Sequence, residues 1–185
     1  DYMIMESVYG DRNHESGDES RAGLKEAILR TVRKGGVLLV PIFSLEKTQI
    51  ILYEMNNMVE KGEIPAIPVY LDSPLAIKIT EIYKESSYLF NEKARKIIAS
   101  GDDIFRFPKL HFTPTRMESE AIASSKSPKV IIAGSGMSTG GRITHHERHY
   151  LNDPKNSILF VGYQSAGSLG RKIEEGMKRV NIDGE

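Results

Sequence analysis

Apolar positions along the chain fall into short runs that alternate with longer stretches where they recur every three or four residues, the mark of strands interleaved with amphipathic helices. The runs Tyr2–Met5, Val37–Val40, Pro68–Leu71, Leu110–Thr113, Val130–Ala133 and Ser157–Val161 predict strands. Helical spacing predicts helices over about Glu19–Lys34, from Leu45 to a stop at Gly62, and over Leu75–Ser86, Asn91–Ser100, Met117–Ser124, Arg142–Leu151 and Leu169–Lys178. Leu24, Ala27, Ile28 and Val32 share one face of the first helix, as do Ile51, Met55, Met58 and Val59 in the second. Gly35-Gly36 ends the first helix, and Ser73-Pro74 supplies a cap and a first-turn proline for the third. Arg179–Asp183 predicts a final strand, and Asp1-Tyr2-Met3 begins inside another, so the expectation is a segment of a longer protein.

Strand and helix alternating over short connections predict an α/β fold, a mainly parallel, Rossmann-like sheet with helices on both faces. Val130–Ala133 and Ile158–Val161 are apolar throughout, as strands buried on both sides must be. Five predicted strands end in loops that carry a serine: Ser7, Ser44, Ser73, Ser135 and Ser165. In a parallel sheet those loops share the edge where such sheets bind ligands.

The stretch Lys129–Arg142, KVIIAGSGMSTGGR, is the most suggestive of them. Gly134, Gly136, Gly140 and Gly141 permit tight turns and a close ligand, and Ser135, Ser138 and Thr139 add hydroxyls. Neither standard phosphate motif fits. A dinucleotide fingerprint needs glycine where Thr139 stands, and a P-loop needs Lys-Ser/Thr where Arg142-Ile143 stand. A ligand site and a structural turn both remain open for the loop taken alone. Gly141-Arg142 and Gly170-Arg171 each place an arginine at a helix start, where it could fork onto a bound phosphate.

Composition narrows the function classes. The apolar fraction of 39% and charged fraction of 27% suit a folded soluble domain, and 185 residues suffice for a core. Lys plus Arg equals Asp plus Glu at 25 each, which argues against bulk capture of nucleic acid while permitting a local basic cluster. The lack of Cys excludes disulfides, thiol nucleophiles and cysteine metal sites, and is compatible with a reducing cytoplasm. No apolar run approaches the ~20 residues of a membrane span.

His145 and His149 stand four apart on a helix, the spacing of a two-histidine zinc site, but the H-E-x-x-H order is absent, so no metal ligand is assigned. Surface or helix-edge histidines are the plainer account of the run 144–149, one of them reaching a neighbouring loop. Glu6 ends a predicted strand, where it could orient a metal-bound histidine from outside the segment or cap the loop by accepting from Tyr9 or Gly10. The segment holds no complete catalytic set.

Glu6-Ser7-Val8-Tyr9-Gly10, Tyr70-Leu71-Asp72-Ser73-Pro74-Leu75-Ala76, Gly136-Met137-Ser138-Thr139-Gly140-Gly141 and Gly162-Tyr163-Gln164 through Gly167-Ser168-Leu169-Gly170-Arg171 together resemble a β-CASP domain, the module inserted into metallo-β-lactamase-fold nucleases that process RNA. The resemblance covers nearly the whole chain. It implies that residues 1–185 are one β-CASP domain excised from a larger protein, a zinc-dependent nuclease hydrolysing RNA, with DNA as the alternative. Two zinc ions would sit in the missing metallo-β-lactamase domain, none in this segment, and the segment alone would be inactive. Single-stranded RNA and the protein's own metallo-β-lactamase domain are the implied partners, with no membrane, in the cytoplasm.

By the same resemblance Glu6 is the catalytic-site carboxylate, acting as an orienter. The substrate-facing set is Ser7, Tyr9, Ser44, Ser73, Ser135, Gly136, Met137, Thr139, Gly140, Arg142, Tyr163, Ser168 and Arg171. Two departures stand out: Val8, where the family commonly has Thr, and Glu46-Lys47, where a Gly-Arg pair is usual before Thr48-Gln49. Two other readings are carried forward, a non-catalytic nucleotide-binding Rossmann-like module and a subunit-docking domain.

Overall fold

The computed structural model describes residues 2–11, 13–182 and 184. Among them five strands form one sheet, all parallel: β1 (Val37–Pro41), β2 (Val69–Asp72), β3 (Leu110–Phe112), β4 (Lys129–Ala133) and β5 (Ser157–Ile158), in the order β3-β2-β4-β1-β5. Leu39 lies opposite Ile131 and Ile158, and Tyr70 opposite Ile131 and His111, so β4 sits at the centre. Seven helices connect and cover the strands: α1 (Gly17–Lys34), α2 (Lys47–Glu60), α3 (Pro74–Glu85), α4 (Glu92–Ala99), α5 (Arg116–Ala121), α6 (Arg142–Tyr150) and α7 (Leu169–Glu174).

Successive strand residues point to opposite faces, and each face has its own core. Leu38, Val40, Val69, Leu71, Val130 and Ile132 pack with Leu24, Ile28, Leu52, Met55 and Ile77 from α1, α2 and α3. Val37, Leu39, Ile131 and Ala133 pack with Ile122 and with Ile143 and Tyr150 of α6. The expected helices on both faces are present. The consequence for the site is topological. β1 and β2 flank β4 and lead into helices on one face, whereas β4 leads into α6 on the other. The loop after β4 therefore opens between two chain reversals, at the switch points where parallel sheets form crevices.

Local chemistry explains most helix starts. Ser16 and Glu19 form a capping box on α1, Thr115 and Glu118 another on α5, and Ser73 caps α3 ahead of Pro74. The starts of α2 and α6 have no side-chain cap, and that of α2 is strained as well. Glu46 has φ 65° and ψ −65° with no side-chain cap, and Lys47 N–H donates to Leu45 O at 2.8 Å. That is a γ-turn of the strained hand, in backbone space that favours glycine. The departure from the family's usual glycine thus falls where glycine would relieve strain.

Lys129, the first residue of β4, is 1% exposed. Its ammonium donates to Ile122 O at 2.6 Å, Ser125 O at 2.9 Å and Ser125 Oγ at 3.0 Å, and lies 5.2 Å from the Tyr150 ring centre. Burial pushes its pKa down.

Three strand expectations need correction. Tyr2–Met5 is not a strand; its side chains are exposed, Tyr2 and Ile4 almost completely, because none of the five strands pairs with it. Ser7 therefore does not follow a strand of this sheet. The predicted strand Ser157–Val161 pairs only over Ser157–Ile158, with one further bond from Leu159 N–H to Leu39 O. Residues 179–182 form no strand, and Asp183, like Asp1 in the opening run, lies outside the described residues.

Candidate functional site

The loop after β4 is held largely by its own bonds. Ser135 Oγ lies 3.0 Å from Thr139 Oγ1 and accepts from Thr139 N–H at 3.1 Å. Ser135 N–H donates to Gly140 O, Ser138 N–H to Ser135 O, and Ile143 N–H to Gly134 O. Ser138 is itself buried and donates to the buried carboxylate of Glu147 on α6. Four backbone N–H groups that a phosphate cradle might use, those of residues 135, 138, 139 and 143, are thus engaged inside the loop. The arrangement stiffens the loop more than it opens an anion nest.

Behind the loop lies a buried polar centre built on Asp72, the last residue of β2 and fully buried. Its Oδ1 accepts from Arg142 Nη1 at 2.6 Å and Thr113 Oγ1 at 2.8 Å, and its Oδ2 from Ser119 Oγ at 2.6 Å. His146 Nε2 stands 2.7 Å from the same Oδ2. Burial pushes the Asp72 pKa up, but hydrogen bonds from His146, Ser119, Thr113 and Arg142 outweigh it and hold the carboxyl below its ordinary value. An ionised carboxylate only accepts, so His146 carries hydrogen on Nε2 and donates.

Arg142 does not fork toward a phosphate. Its guanidinium also donates to Thr113 O at 2.6 Å and Pro114 O at 3.0 Å, and so ties α6 to the ends of β2 and β3. The expectation was a guanidinium forked onto a bound phosphate; here Asp72 and two carbonyl oxygens engage it. The histidine run behaves in a related way: His146, between the spaced pair His145 and His149, reaches Asp72 at the end of strand β2 where a neighbouring loop was expected. Among the described residues no three His, Asp or Glu side chains converge as a metal-binding set.

Other loops meet at the same edge. Ser44 Oγ and Ser73 Oγ lie 3.4 Å apart, and Ser73 also caps α3 by accepting from Ala76 N–H. Gly136 is pressed against Phe43; a Cβ there would come within 2.6 Å of the ring, so this approach requires glycine. Gln164 donates to Gly136 O at 2.9 Å and Gly162 O at 3.0 Å, while Gly170 N–H donates to Met137 O at 3.1 Å. Ser165 Oγ contacts Met137 Sδ at 3.2 Å, and Ser168 caps α7 by accepting from Arg171 N–H. Arg171 itself pairs with Glu175 at 2.7 Å and Glu174 at 3.7 Å on its own helix.

The N-terminal segment reaches this edge through one ring. Tyr9 packs on His14 with centroids 4.2 Å apart and edge-on to Tyr163 at 5.8 Å. Glu6 accepts from Val8 N–H, and Gly10 N–H donates to Ser7 O at 2.9 Å. Glu6 is therefore a loop cap here, bonded to Val8 and not to Tyr9 or Gly10.

The structure thus draws Ser44, Ser73, Ser135, Gly136, Met137, Thr139, Gly140, Tyr163 and Ser168 into one rim with Tyr9 docked beside it, places Arg171 at the start of α7, and turns Arg142 inward. Asp72, Phe43, His146 and Gln164 were missed as site-builders. The one available signal was an aspartate ending an apolar strand, a position where a charge must find partners.

Comparisons with known proteins show the family. The family described as Beta-Casp domain matches residues 48–173. The chain is 37% identical to Ribonuclease TTHA0252 of Thermus thermophilus, over all of this chain and 42% of that protein. It is 35% identical to Transcription termination factor FttA of Methanocaldococcus jannaschii, over 97% of this chain and 28% of the relative. An RNase J-like protein of the same organism is 30% identical over 97% of this chain and 41% of its own length. The chain spans less than half the length of each.

Proposed function

Because the chain belongs to the β-CASP domain family, we propose that it is the substrate-clamping part of an RNA-processing nuclease, one domain over residues 1–185 working with a metallo-β-lactamase domain of the same protein. The observation that supports this most is the convergence of the loops after β1, β2, β4 and β5 on one rim, with Gly136 against Phe43 and Gly170 bonded to Met137. A rim of small residues and hydroxyls suits a sugar-phosphate backbone, which positions a strand without reading its sequence. The relatives' names, ribonuclease and transcription termination factor, favour RNA over DNA.

The two zinc ions expected of such a nuclease have no fitting residues among those described, so hydrolysis is assigned to groups outside this chain. Glu6 accepts from Val8 N–H through one oxygen, and its exposed carboxylate keeps acceptor capacity to orient a group of that other domain. The absence of Cys is compatible with a reducing compartment such as the cytoplasm.

The test is fluorescence anisotropy of the 185-residue chain with a labelled single-stranded RNA at 50 and 200 mM salt, beside a mononucleotide. Expected are weak binding to the RNA that falls with salt, no saturable mononucleotide binding and no cleavage. Tight, salt-insensitive mononucleotide binding would move the chain to a nucleotide-binding module. Cleavage of the RNA by the chain alone would overturn the division of labour.

A further inference from the structure

Beside the rim lies a groove of about 700 Å³, walled by the N-terminal segment on one side and by α1, the first turn of α2 and the segment after β5 on the other. Its volume falls in the range of small-molecule sites, roughly 300–1,000 Å³. The loop residues Gly162, Tyr163 and Gln164 line it, and Gln164 also donates to Gly136 O, so groove and rim are continuous.

Two features define what fits. The first is the aromatic wall of Tyr9, His14 and Tyr163, already clustered by their mutual contacts. The second is charge. Lys47 and Arg171 are outnumbered by Glu15, Glu19 and Glu174 among the groove's residues, and Arg171 is engaged by Glu174 and Glu175. The groove therefore has no surplus positive charge to hold a phosphate. It suits a flat, neutral ligand with polar edges, and exposed Lys47 at its wall can meet a phosphate just outside.

We propose that this groove is a nucleobase subsite, in which one base of a single-stranded RNA lying along the rim turns in to stack on the Tyr9–His14–Tyr163 cluster. The inference rests on the clamp reading above and adds to it a fixed place for one base.

Gly23 of α1 offers a clean test, since it lines the groove and a Cβ on it would meet nothing within 4 Å. Gly23→Leu fills the space while raising helix propensity, so the variant folds; Gly23→Ala is its control. Anisotropy is measured for an intact strand and for copies with one abasic site at successive positions. Stacking of this kind predicts that one abasic position lowers affinity about tenfold. Gly23→Leu should lose the same factor on the intact strand and nothing further on that abasic copy, while Gly23→Ala binds as the parent does. Equal affinity for intact and abasic strands, or parental affinity in Gly23→Leu, overturns the subsite and leaves the clamp standing. No binding to any strand overturns both. Saturable quenching of tyrosine fluorescence by adenosine without RNA binding assigns the groove to a free nucleoside and overturns the proposal as stated.

Discussion

Arg142 and Arg171 each follow a glycine and each lie at the start of a helix at the same edge of the sheet, yet their guanidinium groups meet different surroundings. Arg142 faces Asp72 across the neighbouring strand and bonds three oxygens there, with its side chain 24% exposed. Arg171 pairs with Glu174 and Glu175, three and four residues further along the chain, and these are about half exposed. The dipeptide sets where the arginine starts; the strand or solvent opposite decides what it does. One arginine braces the fold, and the other stays on the surface, paired with Glu174 and Glu175.

Removing the brace gives the largest effect. Arg142→Ala leaves the Asp72 carboxylate buried without its cation, a loss of about 3–5 kcal/mol in urea unfolding. An unchanged urea midpoint would mean that Arg142 carries no structural role. Acid provides the next test. The pKa of Asp72 is lowered in the folded chain, so its contribution is complete above the ordinary value of 3.8 and is lost as pH falls through the lower folded value. Asp72→Asn should therefore be much less stable than the parent at pH 7, with the gap narrowing below about pH 4. A gap of constant size at all pH values would separate the effect from the carboxylate's charge. The smallest effect on folding belongs to Arg171→Ala, whose unfolding midpoint should match the parent's because exposed ion pairs contribute little. Its RNA affinity and salt slope should change little as well, because Glu174 and Glu175 already engage the guanidinium. A clearly lower midpoint would make the two arginines alike after all.

Much of the sheet was legible because β1 and β4 are apolar at almost every position and buried on both faces, so composition and location coincide. The caps at Ser16, Ser73, Asn91 and Thr115 were local, and their helices start within about two residues of expectation. Legibility ended where the deciding partner was remote or missing. Tyr2–Met5 has strand composition, but pairing is a property of two segments and the sheet supplies no second one. The polar centre was hidden for the converse reason: His146 lies 74 residues from Asp72, and neither local pattern names the other. Glu46 was visible as a departure from a family pattern, and only the backbone angle shows what the departure costs.

Lys129 begins the central strand at the end of the sheet farthest from the rim, its amine enclosed by three oxygens and an aromatic face. An amine so enclosed is hidden from acylating reagents that reach a solvent-exposed lysine, and burial also favours its nucleophilic, uncharged form. Its silence toward electrophiles is therefore a matter of access. The lower end of β4 must come apart before that nitrogen reacts, which makes Lys129 a built-in chemical record of whether the middle of the sheet has opened.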